Sequence, residues 1–258
     1  MKITIITPVY NGETTIHTCI ESVLNQTYDN VEYIIMDAVS KDKTIPIIQA
    51  YPQEKIKLIS EKDLGLYDAI NKGIEIATGD IICFLCADDM YAGRDVLKKI
   101  AETFQSDQTI DVIYSDIVYV NRKNISKIER YWKSSVFLPG LYRKGWLPPN
   151  TSFFIKKDSL ASHEKFNINF KYAADYELNY RLLEKYRLKS VYLPEILVKM
   201  RSGGISNSGF KNIYKSLKDC YDVLIYHKVR HPYIYIFNTL FYRLKQIYIP
   251  SKIKNITF

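Results

Sequence analysis

Acidic residues stand at the ends of two predicted strands, which is where the chemistry of an α/β protein is usually located. Asp37 follows the β-branched run 31–36, and Asp88 and Asp89 come soon after the run 80–85. In a doubly wound sheet, ligands bind beyond the carboxyl ends of the strands. Neither a Walker loop nor a GxGxxG loop follows these strands. A diphosphate bound here would need another source of positive charge, such as a divalent cation held by carboxylates.

These carboxylates depend on strands and helices that alternate along the first part of the chain. The continuous apolar run at 2–9 predicts a strand buried on both faces, and the apolar spacing within 14–25 predicts a helix packed on it. Further strands are predicted at 31–36, 56–60 and 80–85, and further helices at 44–50 and 67–77. Such alternation predicts βαβ crossovers and a mostly parallel, doubly wound sheet.

The pattern loosens from residue 111. A strand-like run at 111–120 precedes a polar, aromatic stretch, and Pro148 and Pro149 prevent that stretch from ending in a helix. Regular structure returns with strands predicted at 151–157 and 190–193, a helix at 176–185, a loop at 203–209 and a C-terminal helical tail.

Four segments together resemble family 2 of the inverting glycosyltransferases, which have a GT-A fold. They are TPVYN, SVLNQTYDNVEYIIMDAVSKDKT, SEKDLGLYDAINKGIEIATGDIICFLCADD and AADYEL, in this order along the chain. The resemblance spans about residues 2–206. It implies a Rossmann-like, mostly parallel sheet flanked by helices. It also implies a nucleotide-sugar-binding half at 1–116, an acceptor-binding and catalytic half at 117–206, and a separate tail at 207–258.

The activity that the resemblance implies is transfer of a sugar from a nucleotide diphosphate sugar, with a UDP-sugar favoured, to an acceptor hydroxyl. By the same resemblance, Asp37 binds the base and ribose, Asp88 the ribose or diphosphate, and Asp89 the Mn²⁺ or Mg²⁺ ion. Asp175 in AADYEL matches the catalytic base, which takes the proton of the attacking hydroxyl. The other residues assigned to the donor site are Thr7, Pro8, Tyr10, Asn11, Asp68, Lys72 and Arg201.

Each assignment has a structural alternative. Paired acids after a strand also cap helices, and a single Asp at a helix start also serves the helix dipole. Lys72 is equally expected as a solvated helix lysine. Trp146 is a candidate for stacking on an acceptor sugar, or else a buried tryptophan. Glu177 is either structural or acceptor-binding.

The chain departs from the family after Asp37, where Ala38 and Val39 replace the usual glycine turn. Losing the dihedral freedom of glycine is expected to shift this turn. Cys83 and Cys86 form a CxxC pattern without a second pair, so neither zinc binding nor redox chemistry is expected. The altered turn keeps a second class of function open, namely a catalytically impaired module that binds sugar nucleotides or polysaccharides.

The net charge of +8 is concentrated at the C-terminus. Residues 211–258 hold nine Lys or Arg, two Asp and ten aromatic residues. Their longest apolar stretch, 233–241, is far shorter than the about 20 residues that a spanning helix needs. An anionic membrane surface is therefore the expected partner of the tail, whereas nucleic acid is not, because no nucleic-acid-binding motif is present. The alternative is that the aromatic residues pack back on the catalytic domain.

Location and acceptor follow from the same observations. The chain shows no secretory signal at Met1, and its four cysteines lack the spacing of a disulfide framework. We expect a cytoplasmic protein bound peripherally to the inner face of the cell membrane. The expected acceptor is a lipid-linked or free oligosaccharide in the assembly of bacterial surface polysaccharide.

Overall fold

The computed structural model describes residues 1–203, 210–246 and 253, and its first half is a parallel sheet with helices between the strands. The strands are Ile3–Val9 (β1), Val31–Asp37 (β2), Lys57–Ser60 (β3) and Ile81–Phe84 (β4), and the helices are Ile16–Leu24 (α1), Thr44–Gln49 (α2) and Leu66–Ile76 (α3). The strands lie in the order β3-β2-β1-β4 and every neighbouring pair is parallel. This order agrees with the alternation read from the sequence.

The second half extends the same sheet with mixed pairing. Its strands are Met90–Tyr91 (β5), Val112–Val120 (β6), Ile128–Trp132 (β7), Phe154–Lys156 (β8) and Ser190–Arg201 (β9). The sheet continues from β4 through β8, β6 and β9 to β5, and β7 pairs with the end of β6. In this half β6 and β9 pair in parallel, whereas β8 runs antiparallel to both β4 and β6. The parallel arrangement thus holds for the first half of the chain and gives way to mixed pairing in the second half.

Helices cover both faces of the sheet. The remaining helices before the tail are Val96–Ser106 (α4), Lys157–Ala161 (α5) and Ala174–Asn179 (α6), and α6 continues as a π-helix at Tyr180–Lys185. All seven residues of β1 are buried. Ile5 packs into a cluster with residues of α1 and α4, and Ile6 packs into one with residues of α3 and α6. Since successive strand residues point to opposite faces, this double cover explains the uninterrupted apolar run.

The C-terminal helices Phe210–Tyr226 (α7) and Pro232–Lys245 (α8) pack partly on the rest of the protein. On α8, the Asn238 side chain donates a 2.8 Å hydrogen bond to the Arg143 carbonyl. The Tyr242 hydroxyl donates to the Lys133 carbonyl at 3.4 Å. Part of the tail therefore packs back, as the structural alternative expected. Residues 204–209, 247–252 and 254–258 lie outside the described residues, and they include most of the loop predicted at 203–209 and Tyr248.

The opposite side of α8 is apolar and exposed. Tyr233, Phe237, Phe241 and Leu244 are each about 60% exposed. Their spacing of four, four and three residues places them on one face of the helix. Within residues 1–203 and 210–246, no helix has the length and apolar character that crossing a membrane requires.

Gly145 allows the backbone of α8 to pack closely against it. Its φ is +83°, and a Cβ there would lie 2.3 Å from the Asn238 backbone. We expect Gly145→Ala to lower the free energy of unfolding by about 2–4 kcal/mol, because the left-handed conformation and the overpacking both carry a cost. Gly140→Ala is the matched control, since its φ is +86° but its Cβ would meet nothing within 4 Å. Equal losses in urea unfolding of the two variants would contradict the close packing of α8 on Gly145.

Candidate active site

Asp37 is a buried carboxylate at the carboxyl end of β2. Its Oδ2 accepts hydrogen bonds from the Ser40 amide at 3.1 Å and the Ser60 hydroxyl at 2.6 Å. Its Oδ1 is also buried but has no partner among the described residues. Because a buried acceptor without a donor is destabilising, this oxygen is suited to receive a donor group from a ligand.

The turn after Asp37 contains a strained residue. Val39 has a φ of 58°, which is rare for a β-branched side chain and costs about 1–2 kcal/mol. Asn11 braces the turn from the first loop, since its amide donates to the Ser40 hydroxyl at 2.9 Å and its Oδ1 accepts from the Lys41 amide at 2.8 Å. Val39 thus holds a conformation that glycine adopts without strain.

Asp88 and Asp89 follow β4, and Asp89 has no solvent exposure. The Oδ1 of Asp89 accepts from the Arg201 amide at 3.2 Å, while its Oδ2 has no partner among the described residues. Burial and the neighbouring Asp88 raise the pKa of Asp89 well above its usual range, and Arg201 opposes this shift. Asp88 is half-buried and lies 3.6 Å from the guanidinium of Arg122.

This pair of carboxylates fits a divalent cation. The unpartnered Oδ2 of Asp89 offers a buried anionic ligand whose charge a cation would compensate. Within the described ranges, no cluster of three or more His, Cys, Asp or Glu could hold a metal by itself. A cation here would therefore need phosphate oxygens and water to complete its coordination, as Mg²⁺ commonly does.

The side chain of Arg201 is buried against the backbone of the acidic pair. It is 5% exposed, and its guanidinium donates to the Asp88 carbonyl at 2.7 Å and the Thr18 hydroxyl at 3.2 Å. In this position Arg201 fixes the backbone that carries the two carboxylates.

Asp175 begins α6 near this acidic pair. Its Oδ1 accepts from the Tyr176 amide at 2.8 Å. Burial raises the pKa of Asp175, and the hydrogen bonds from Tyr176 and the Tyr67 hydroxyl and the charge of Arg243 oppose the rise. A raised carboxyl pKa improves the match to a general base at neutral pH.

The pKa of the Cys86 thiol is affected by all of these acidic groups. Burial raises its pKa, and the charges of Asp89, Asp88 and Asp175 raise it further. The three carboxylates of the predicted metal and catalytic sites therefore act electrostatically on one thiol, although Asp175 is 86 residues beyond Asp89 in sequence.

The predicted donor residues on β1 divide into buried and exposed positions. Thr7 and Pro8 are buried within the strand, and the Thr7 hydroxyl donates to the Tyr33 hydroxyl at 3.2 Å. Tyr10 is 58% exposed in the loop that follows. Thr7 and Pro8 thus support the loop, whereas the Tyr10 ring is free to meet a ligand.

The two predicted donor residues on α3 bind protein groups. Asp68 accepts from the Leu64 amide at 2.9 Å and lies 3.6 Å from Lys72. The ammonium group of Lys72 also lies 3.0 Å from Glu61 and donates to the Lys62 carbonyl at 2.6 Å. Here Lys72 is part of a surface ion-pair network.

The expectation that Trp146 stacks on an acceptor sugar is corrected by its burial. The residue is 2% exposed, and its ring makes edge contacts with Tyr114 at 5.7 Å and Tyr142 at 5.6 Å between centroids. Trp146 is therefore a core residue, which is the second alternative that the sequence left open.

Glu177 is likewise unavailable to an acceptor. It is 1% exposed and lies 2.8 Å from both Arg181 and His227. The pKa of Glu177 is lowered, because these hydrogen bonds and charges outweigh the effect of burial. Its acceptor-binding role is corrected to a structural one, in which it joins α6 to α7.

Sequence patterns did not identify Tyr119, Arg130 and Arg243 as site residues. Arg130 on β7 lies opposite Tyr119 on β6, and its guanidinium carbon is 4.7 Å from the Tyr119 ring centroid. Burial raises the pKa of Tyr119, on which Arg130, Arg243, Asp89 and Asp175 all act electrostatically. These residues come from separate elements, so no local spacing could have brought them together.

The sequence of the chain is similar to those of known proteins. The family model described as glycosyl transferase family 2 matches residues 4–168. The chain is 25% identical over 208 residues to a protein of Mycobacterium bovis (strain BCG) named PGL/p-HBAD biosynthesis glycosyltransferase, covering 79% of this chain and 78% of that protein.

Two experimental structures share the fold. Staphylococcus aureus TarS 1–349, in complex with UDP-GlcNAc, has a TM-score of 0.69 at 16% identity, covering 95% of this chain and 73% of TarS 1–349. The mannosyltransferase PcManGT of Pyrobaculum calidifontis, in complex with GDP-Man and Mn²⁺, has a TM-score of 0.66 at 16% identity, covering 93% of this chain and 69% of that protein. These likenesses confirm the predicted GT-A fold class with its C-terminal helices.

Proposed function

Because the chain belongs to glycosyltransferase family 2, we propose that it transfers the sugar of a UDP-sugar to an acceptor hydroxyl, with inversion at the anomeric carbon. Membership of the family makes the chain a glycosyltransferase that uses a nucleotide sugar. The observation that carries the finer proposal is the buried Asp89, which follows β4 beside Asp88 and has one carboxylate oxygen without a partner among the described residues. The UDP-GlcNAc bound by the structural neighbour TarS favours uridine as the base.

The donor would bind beyond the carboxyl ends of β1, β2 and β4. The unpartnered Oδ1 of Asp37 would accept a hydrogen bond from the base or ribose. Asp88 would contact the ribose or diphosphate. We assign the remaining donor contacts to the loop and helix residues singled out by the sequence, which are Tyr10, Asn11, Asp68 and Lys72, with Thr7, Pro8 and Arg201 as supports.

Asp89, with Asp88, would hold Mn²⁺ or Mg²⁺. When bound, the cation compensates the charge of the departing diphosphate. The bound Mn²⁺ in the PcManGT structure is consistent with this choice of metal.

Asp175 would act as the general base. One carboxylate oxygen is bound by the Tyr176 amide, and the carboxylate would take the proton from the acceptor hydroxyl. The acceptor oxygen would then form a bond to the anomeric carbon as the bond from that carbon to the nucleotide oxygen breaks. A single displacement from the opposite side inverts the configuration.

The acceptor is proposed to be a lipid-linked oligosaccharide in surface polysaccharide assembly, reached from the cytoplasmic face of the membrane. Support comes from the exposed apolar face of α8 defined above. Beside that face is a cavity of about 550 Å³, lined by Tyr221, Tyr233, Ile234, Ile236, Phe237 and Leu240. The basic residues of the tail would draw this face to an anionic surface, where aromatic side chains settle among the headgroups.

The metal assignment is tested by Asp89→Ala. We expect the variant to fold and to lose nearly all metal-dependent release of UDP, because the leaving group would lack its counter-charge. Asp29→Ala is the control, since this exposed aspartate lies before the amino end of β2. Full turnover of Asp89→Ala, or of the wild type in excess EDTA, would overturn the assignment. Donor binding by the wild type with no transfer or hydrolysis would instead support the impaired binding module.

Asp175→Asn tests the catalytic base. We expect sugar transfer to fall by about 10² or more with donor binding nearly unchanged, since general-base catalysis contributes about 10²–10⁴-fold. Asp158→Asn is the matched control, because Asp158 also lies in the first turn of a helix but is exposed on α5. If donor affinity and turnover fell equally in Asp175→Asn, its role would be positional.

Membrane attachment is tested by replacing Phe237 and Phe241 with serine. In co-sedimentation with anionic vesicles at low salt, we expect the double variant to bind much more weakly than the wild type, because it loses two aromatic anchors. Tyr186→Ser is the control, since this 45% exposed tyrosine lies outside the tail. A wild-type protein that ignores anionic vesicles at low salt, or a double variant that binds them as well as the wild type, would contradict the proposal.

A further inference from the structure

Two arginines beside the active site lack acidic partners. Among residues 1–203 and 210–246, the arginines that form ion pairs are Arg122, Arg181 and Arg187. Arg130 and Arg243 are not among them. The Nε of Arg130 is also buried without a hydrogen-bond partner among the described residues.

The last turn of α8 holds these two arginines near each other. Gln246, just beyond α8, is buried, and its side-chain oxygen accepts a hydrogen bond from Arg130. Its carbonyl accepts from the Tyr131 amide at 3.3 Å. The Gln246 amide in turn donates to the Arg243 carbonyl at 3.2 Å. Since residues three apart share a helix face, Arg243 lies on the side of α8 that meets β7.

The charge of Arg243 acts on both the acidic and the basic groups of the site. Its charge helps to lower the pKa of Arg130, for which burial is the main cause. It also opposes the rise in the pKa of Asp175 and of Cys220 on α7. Two partly buried like charges repel each other, and a bound anion would remove that repulsion.

The donor diphosphate is not the expected occupant, because its proposed place is beside Asp88 and Asp89, where Arg122 and Arg201 already lie. The charge of Arg243 instead acts on Asp175, which faces the acceptor in the proposed function. Leu240, three residues before Arg243 and hence its neighbour on the helix surface, is 40% exposed. An anionic group at the arginines would therefore border an apolar surface.

We infer that Arg130 and Arg243 bind a phosphate or diphosphate group of the acceptor, whose apolar chain lies along the exposed face of α8. The inference rests on the proposed function, because it assigns the acceptor side of that site. It adds a chemical requirement: the acceptor is an anionic amphiphile. The planar guanidinium groups supply paired hydrogen bonds that match phosphate oxygens.

The test measures binding of farnesyl diphosphate, inorganic pyrophosphate and farnesol by calorimetry, below the concentration at which farnesyl diphosphate forms micelles. Saturating UDP and Mn²⁺ are present throughout, so that the donor site is filled. We expect the wild type to bind farnesyl diphosphate more tightly than either pyrophosphate or farnesol. Arg243→Gln should weaken this binding about 10- to 100-fold, as expected for loss of a charge-assisted contact. UDP affinity, titrated separately, should stay unchanged.

Arg230→Gln is the matched control, since it removes the same charge from an exposed position between α7 and α8. Arg243→Lys should recover part of the affinity, because it restores the charge without the planar fork. Arg130→Gln should act like Arg243→Gln, and urea unfolding of each variant reports whether it folds. If Arg130→Gln does not fold, the binding measured for Arg243→Gln, a change at a half-buried position, decides the question alone.

Three results would overturn the inference. The first is unchanged farnesyl diphosphate binding in Arg243→Gln, and the second is equal weakening by Arg230→Gln. The third is a parallel loss of UDP affinity, which would assign the arginines to the donor. A wild type that binds farnesyl diphosphate but not UDP would contradict the proposed donor and leave the arginine site standing.

Discussion

The buried carboxylate of Asp89 is the group on which the arrangement of the site depends. A charge without solvent exposure is destabilising unless other groups compensate it, and here Arg201 at the end of β9 supplies part of that compensation. Because β9 pairs along its length with β6 and also with β5, the acidic pair is held by the second half of the sheet as well as by β4. The arrangement of the acidic pair therefore depends on both halves of the sheet.

Charge is distributed unevenly across the site that results. Carboxylates lie at its centre, and Arg122, Arg130 and Arg243 lie around them on the turn after β6, on β7 and on α8. Perturbed pKa values of this kind gather where a protein handles charged substrates. A reaction between a diphosphate donor and an anionic acceptor would need separate sets of positive charges for the two anions. Each anion must be neutralised in its own site without being attracted into the site of the other.

The first half of the fold and its acidic residues could be predicted from the sequence because they depend on local pattern. The continuous apolar run of β1 and the strand-end position of Asp37 are both properties of neighbouring residues. For Trp146 and Glu177 the sequence left a structural role and an acceptor-binding role open, for the opposite reason. Whether an aromatic or acidic side chain faces solvent depends on elements distant in sequence, here the rings of Tyr114 and Tyr142 for Trp146 and the imidazole of His227 for Glu177.

The sequence did not single out Arg243, because the charge and aromatic content of the tail do not say which face of α8 each residue occupies. The helix α8 also lies outside the segment of the chain that matches the family. The family match ends at residue 168, before both Asp175 and α8. The hydrogen bonds that Asp37 and Asp89 accept come from Ser40, Ser60 and Arg201, which all lie outside α8. If α8 recognises the acceptor, as inferred above, exchanging the C-terminal helices between related proteins would change the acceptor and leave these contacts in place.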